Sequence, residues 1–335
     1  MGSRDNERAI PLAGGLVALL ILAMFPALGF NPYITQLMDM LGITLILILG
    51  LNLVFGFAGQ ISISQAGFYG LGAYTASLLQ TKLGAPFPLA ILAGIACPAA
   101  LAAIVGTPIL KLRGYYLALA TIGLGTMLFE GLQQWQDVTG GPIGVMGIKR
   151  PPLLDNDTLY YYLVWILAVL AFLFARNLTS CSIGRAWVAI RENELAAAAM
   201  GINAAHYKLI AFILSAAMAG LAGGLYAFLN RYISPDSFAL SYSMILIASM
   251  VIGGAGTLGG AIVGTALVIL LPEVAQSFAD YNVLVFGLIL VGVLRFMPRG
   301  VWGSIRRYMA DHRDGNALAE RSAPSETQPL TETAP

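Results

Sequence analysis

Residues 56–72 read Gly56-Phe-Ala-Gly59-Gln60-Ile-Ser62-Ile-Ser64-Gln65-Ala-Gly67-Phe-Tyr-Gly70-Leu-Gly72. The run interrupts an apolar stretch with glycines and four polar side chains. Unwound backbone at membrane depth survives only where it is buried in protein or lines a cavity. A second interrupted stretch lies in the later part of the chain: Gly253-Gly254-Ala-Gly256-Thr257-Leu-Gly259-Gly260, continuing to Gly264. Interrupted apolar segments at corresponding places in two parts of a chain point to a transport pathway. The bland alternative is close helix packing. It fits the four-residue spacing of Gly256, Gly260 and Gly264, and of Gly220 and Gly224. For the first run the polar side chains of Gln60, Ser62, Ser64 and Gln65 favour a pathway, since packing alone does not require them.

Around these runs the chain is greasy throughout. Of 335 residues, 58% are hydrophobic and only 10% are charged. A soluble domain carries about 25% charged residues, so an ordinary soluble enzyme is excluded. The net charge of +1 and two cysteines exclude a nucleic-acid binder and a disulfide scaffold. The fold class expected is all-α: a polytopic integral membrane helical bundle.

A span needs about 20 apolar residues. Candidates are 10–30, 37–57, 67–79, 89–110, 115–132, 159–175, 207–229, 242–271 and 283–297. The first resembles a signal peptide but lacks a small-x-small cleavage site, and it reads as a retained span. With the N-terminus in the cytoplasm, Lys111, Arg113, Arg176, Arg185, Arg191 and Lys208 fall inside. Lys82, Lys149, Arg150 and Arg231 fall outside. Nine simple crossings would leave the basic tail (Arg299, Arg306, Arg307) outside. Parity is repaired if 242–271 enters and leaves on one face, or divides into two short crossings, with the break at the glycines 253–260. About ten segments result, broken helices included, with both termini cytoplasmic: a short N-terminus over 1–9, a membrane domain over 10–300 and a tail over 301–335. The tail is polar and rich in Pro, Ser, Thr and Glu, a composition that favours disorder.

The loop 176–208 is the one sizeable cytoplasmic segment between spans. Gly184-Arg185-Ala-Trp187-Val-Ala-Ile190-Arg191-Glu192-Asn-Glu194 leads into an Ala-rich stretch ending at Gly201. Trp187, Ile190 and Glu194 fall at helical spacing, so a short helix is expected to present one mixed face, and the Ala-rich stretch offers a low-relief surface suited to a groove on another protein.

Several chemistries are disfavoured, and an ion-coupled secondary transporter is kept as the less favoured alternative. Gly254-Ala-Gly256-Thr-Leu-Gly259 matches GxGxxG, but it lies inside an apolar membrane stretch and not in a βαβ unit. No GxxxxGK[ST], HExxH or GxSxG occurs. Neither His206 nor His312 sits in a span interior. Cys97 and Cys181 read as free thiols. An ion-driven carrier would hold an ionisable residue in mid-span, whereas Asp39, Glu130 and Glu273 fall towards segment ends on these boundaries.

The form Glu194-x-Ala196-Ala197-x-x-x-Gly201 resembles the cytoplasmic "EAA" loop of ABC-importer permeases, which docks on the ATPase subunit. The stretch Gly50-Leu-Asn52 through Gly67 is similar to the signature of LivM-type permeases for branched-chain amino acids. Leu112-Arg113-Gly114-Tyr115-Tyr116 through Thr121 and Val138-Thr139-Gly140-Gly141-Pro142-Ile-Gly144 resemble further motifs of that family, in the same order. Together with the 185–201 loop and the 253–264 segment, the resemblance covers most of 42–300.

It implies a non-enzymatic permease in a bacterial inner membrane, paired with a second permease chain. Two cytoplasmic ATPase subunits and a periplasmic solute-binding protein complete the assembly. No metal or cofactor is implied, and the missing P-loop fits. Sister permeases for urea or short amides share these motifs. On this reading Arg185, Arg191, Glu192, Glu194, Ala197 and Gly201 couple the ATPases to the spans. Asn52, Gln60, Ser62, Ser64, Gln65 and Thr121 face the path. Gly56, Gly59, Gly67, Gly253, Gly254, Gly256, Gly259 and Gly260 permit the breaks.

Overall fold

The computed structural model describes residues 31–112, 114–275 and 300–304. The expected spans 10–30 and 283–297, the 1–9 segment, Arg113 and the tail beyond 304 lie outside the described residues.

The described chain is helical, with one two-stranded exception. α1 (Pro32–Leu51) runs on into a π-helical turn, Asn52–Phe57. α2 (Gln65–Leu83), α3 (Phe87–Ile109), α4 (Tyr115–Gln134) and the short α5 (Gln136–Thr139) follow. Next come α6 (Asp157–Ser180), α7 (Ser182–Glu192), α8 (Glu194–Ala199) and α9 (Ala204–Asn230). α10 (Leu240–Gly253) and α11 (Leu258–Ala275) complete the set. Strands β1 (Val145–Met146) and β2 (Tyr232–Ile233) pair antiparallel, Val145 opposite Ile233. Six helical segments among the described residues are long and apolar enough to cross a membrane.

Sequence chemistry sets the helix ends. Asn31, Asn156, Asn193 and Asn203 each accept a backbone N–H through the side chain and start α1, α6, α8 and α9. Gly84 ends α2 with φ +62°, where an L side chain is strained.

α9 is the central post and packs against α1, α2 and α3. Small residues allow the approach. A Cβ on Gly72 or on Gly223 would run into the backbone of the facing helix, and one on Gly220 into Gly94. Apolar helices in lipid gain nothing from leaving water, so backbone proximity and dispersion supply the attraction.

The bundle has two ends. At one, Lys82 Nζ donates to the carbonyls of Asp137 and Val138, both 2.9 Å. There Arg231 pairs with Asp155, and Tyr33 Oη donates to Glu273 (2.6 Å). At the other lie α7, α8 and the π turn. α10 and α11 form a hairpin: Gly253 packs on Gly260 and Gly264 on Ser249. The chain thus enters and leaves on one end within 242–271, with the turn at 254–257. Both parity repairs expected return the chain to the end it entered. Gly300 packs on Gly254, which places the described residues 300–304 at the α7–α8 end.

Two expectations on boundaries need correction. α1 begins five residues earlier than 37, because Asn31 caps it and Pro32 suits the first turn. Asp39 therefore lies two turns inside the helix, 2% exposed, and not at its end. The 185–201 loop is two helices instead of one, since Asn193 leaves helical geometry and caps α8 through Leu195 and Ala196 N–H. Trp187 (0% exposed) and Ile190 consequently face inward, where Trp187 Nε1 donates to the Tyr207 carbonyl (2.8 Å).

Candidate functional site

The two interrupted segments meet at one point. Asn52, on the π turn, is fully buried and bridges to the other break. Its side-chain amide donates to the Thr257 carbonyl (2.9 Å), and its Oδ1 accepts from Gly256 N–H (2.9 Å). Both backbone groups belong to the α10–α11 turn, where helical partners are missing. One asparagine therefore satisfies a donor and an acceptor that the break exposes. The contact is close because both sides are glycine. A Cβ on Gly56 would collide with Asn52 Oδ1 and with Gly256 backbone. A π turn adds one residue per turn and is often found at functional sites.

Arg191, the penultimate residue of α7, reaches this junction. Its Nη1 donates to the Gly56 carbonyl at 2.6 Å. A Cβ on Gly59 would meet Arg191 Cγ at 2.6 Å, and one on Gly256 would meet Arg191 Nη1. Gly59 and Gly256 also adopt positive φ, +66° and +78°. Their lack of a side chain thus serves two needs: the backbone conformation and the seat of the guanidinium.

Beyond Phe57 the backbone is unwound through residue 64 and climbs back into the bundle. Gln65 opens α2 and donates to the Leu47 carbonyl (3.2 Å), on α1 before the π turn at Asn52. Its Oε1 accepts from Ser215 (2.9 Å). Ala66 N–H, unpaired within α2, is met by Ser243 Oγ (2.9 Å). Ser62 and Ser64 hydroxyls bond each other at 3.2 Å. Thr121 donates to the Ala118 carbonyl and accepts from Ile63 N–H (3.2 Å). Gln60 donates to the Lys208 carbonyl (3.2 Å), while its Oε1 has no partner among the described residues. All six side chains read from the sequence as path-facing are buried inside this one chain. The exposed members of the run are Gly59 and Ile61.

The α7–α8 loop is fastened to the post. Lys208, 7% exposed on α9, pairs with Glu194 at 2.7 Å. Burial keeps such a pair from the screening that weakens surface bridges. Glu192 lies outward and pairs with Arg191 (3.3 Å). Arg185 is exposed and donates to the Ser180 carbonyl. Ala197 is buried, and Gly201 turns the chain at φ +83°. Leu195 and Met200 stand 71% and 84% exposed at the tip. A cavity of about 270 Å³ lies between the loop and the unwound run, bordered by Gln60, Ile61, Arg191, Glu194 and Lys208.

The glycines divide by position. Gly56, Gly59 and Gly256 surround the Asn52–Arg191 junction. Gly253, Gly254 and Gly260 close the α10–α11 hairpin, Gly259 seats Trp302, and Gly67 packs on Leu128 and Gly125. Sequence reasoning did not single out Ser215, Ser243, Thr257 or Lys208 as site residues. A lone hydroxyl or ammonium in an otherwise apolar helix, which must find a partner, is the cue that marks them.

The arrangement is a loop with an exposed apolar tip, tied by one guanidinium to the crossing of two broken helices. The family model for the permease component of branched-chain amino acid transport systems matches residues 33–294. The high-affinity branched-chain amino acid transport system permease protein LivM of Salmonella typhimurium is 33% identical over 314 residues, covering 85% of this chain and 74% of that protein. Its Escherichia coli K12 counterpart gives the same figures. The autoinducer 2 import system permease protein LsrC of Salmonella paratyphi B is 28% identical over 305 residues, covering 86% of each chain. No solved structure matches. The chain belongs to the family of permease components of branched-chain amino acid transport systems.

Proposed function

We propose that this chain is one membrane half of an ATP-driven importer for branched-chain amino acids. A second permease chain forms the other half, two cytoplasmic ATPase subunits supply the work, and a periplasmic protein delivers the cargo. The chain itself is a conduit and not an enzyme. The observation that carries the reading is the bond from Arg191 to the Gly56 carbonyl, which ties the loop to both breaks at once. The identity to LivM permeases exceeds that to LsrC and favours amino acids over other cargo.

The α7–α8 end faces the cytoplasm on this reading. Lys111, Arg176, Arg185, Arg191 and Lys208 gather there. At the opposite end Arg150 pairs with Asp157 and Arg231 with Asp155. Residues 300–304 share the loop end, which supports a cytoplasmic C-terminus.

Motion works through the joint. ATPase closure displaces Leu195 and Met200, the α7–α8 unit turns as a rigid body, and Arg191 draws the π turn with it. The unwound run 58–64 has no helical ladder to break, so it shifts more cheaply than a helix would. Asn52, Gln60, Ser62, Ser64, Gln65 and Thr121 then come to line the path in one state and lie buried in the other. Modest hydrogen bonding suits a passage that must release its cargo.

Cysteine substitution tests this in the assembled importer. Ser62→Cys and Ser64→Cys are nearly isosteric. Both should resist a water-soluble maleimide at rest and react when the ATPases are trapped with nucleotide and vanadate. Equal reactivity in the two conditions contradicts a path that opens at this run.

A further inference from the structure

A cavity of about 510 Å³ lies at the end of the bundle away from the loop. Its size falls within the usual range for small-molecule sites. Tyr33, Gln36, Asp39, Arg150, Asp157 and Arg231 border it. Asp39 is 2% exposed, and its Oδ1 has no hydrogen-bond partner among the described residues. Buried carboxylates are ordinarily paired, and an unpaired one in a membrane span is costly enough to require an explanation.

The charges around the cavity do not cancel at Asp39. The Arg150 side chain, 3% exposed, bonds Asp157 (2.7 Å) and the carbonyls of Phe228 and Leu229, both 2.8 Å. It also lies over the Tyr160 ring, 4.2 Å from the centroid. Arg231 is taken by Asp155. These bonds use three of the five N–H groups of Arg150 and leave two. A cavity with one unpaired buried carboxyl oxygen and one guanidinium holding unused donors suits a zwitterion. A metal ion fits poorly: no cluster of three acidic, His or Cys ligands exists among the described residues, and the guanidinium repels it.

We infer that this cavity is an entry site for the head group of a free α-amino acid, with the Asp39 carboxylate taking the ammonium and Arg150 the carboxylate. It rests on the reading of the chain as an amino acid permease and adds the subsite to which cargo passes from the delivering protein.

The test uses the complete importer in vesicles, with Cys97→Ala, Cys181→Ala and Gln36→Cys, without the solute-binding protein. An impermeant maleimide should label Gln36→Cys from the outer side. A seated ligand covers the lining, so saturating leucine should slow labelling by roughly threefold or more. Neither 4-methylpentanoate, which lacks the ammonium, nor 3-methylbutylamine, which lacks the carboxylate, should do so. Asp39→Asn should abolish protection by leucine while leaving the unprotected rate unchanged. Protection by the amine alone makes this a cation site and overturns the inference. So do an absence of labelling, no protection by leucine in the Asp39 chain, or full protection in Asp39→Asn. ATP-driven leucine uptake in the same vesicles, measured after loaded solute-binding protein is added, separates the two readings. Uptake without protection sinks only this site, whereas absence of uptake sinks the importer assignment.

Discussion

Replacing Arg191 with alanine should lower leucine uptake by roughly ten- to a hundredfold while ATP hydrolysis by the assembled importer continues. The guanidinium of Arg191 bonds α7 to the π turn, Nη1 to the Gly56 carbonyl at 2.6 Å. A hydrogen bond to a charged group is worth about 1.5–3 kcal/mol, and about 1.4 kcal/mol corresponds to a factor of ten. The variant removes the tie and leaves the exposed tip of the loop, Leu195 and Met200, in place for the ATPase. Glu194→Gln should act in the same direction, because it releases the loop from Lys208. So should Gly201→Val, which puts a β-branched residue at φ +83°. The ratio of solute moved to phosphate released is the quantity to follow. A normal ratio in all three variants removes the joint from the mechanism.

Gly56→Ala should destabilise the chain strongly. Its Cβ would run into Asn52 Oδ1 and the Gly256 backbone, with Gly256 Cα at 2.9 Å. Asn52 cannot yield without abandoning its two bonds to the α10–α11 turn. Overpacking costs about 1–3 kcal/mol, and loss of a buried hydrogen bond adds about 1–3 kcal/mol. Gly123→Ala is the control. Nothing lies within 4 Å of its Cβ, and alanine in a helix gains about 0.5–1 kcal/mol over glycine. Thermal unfolding in detergent should show a clear drop for Gly56→Ala and none for Gly123→Ala. Equal midpoints would mean that the two breaks do not press on each other.

The helical class and the two breaks were legible because both have local causes. Composition excludes a water-facing surface, and glycine clusters mark where an apolar helix stops. The division of 242–271 was open between two forms, and the hairpin appears only once Gly253 is set against Gly260. Helix ends were less legible. Asn31 and Asn193 act through a single side chain each, too small a feature to shift a hydropathy pattern. Trp187 and Ile190 share a helical face, yet the sequence does not say whether that face meets a partner or the bundle; packing against α9 turned it inward.

The site shows the same division. Asn52, Arg191, Gly56 and Gly256 were each legible as separate features. That they share one point depends on helices more than one hundred residues apart in sequence. Gln65 with Ser215 and Asp39 with its cavity are likewise products of tertiary packing. Asp39 was placed at a segment end because hydropathy starts the span at residue 37, and the cap at Asn31 puts it two turns deeper.

The most direct test of the whole account is energisation. Vesicles holding this chain, the second permease and the ATPases, supplied with loaded binding protein, should accumulate leucine when ATP reaches the ATPase side, with proton and sodium gradients collapsed. Accumulation that needs an ion gradient, or that persists when the ATPases are left out, would contradict a conduit driven through the α7–α8 loop.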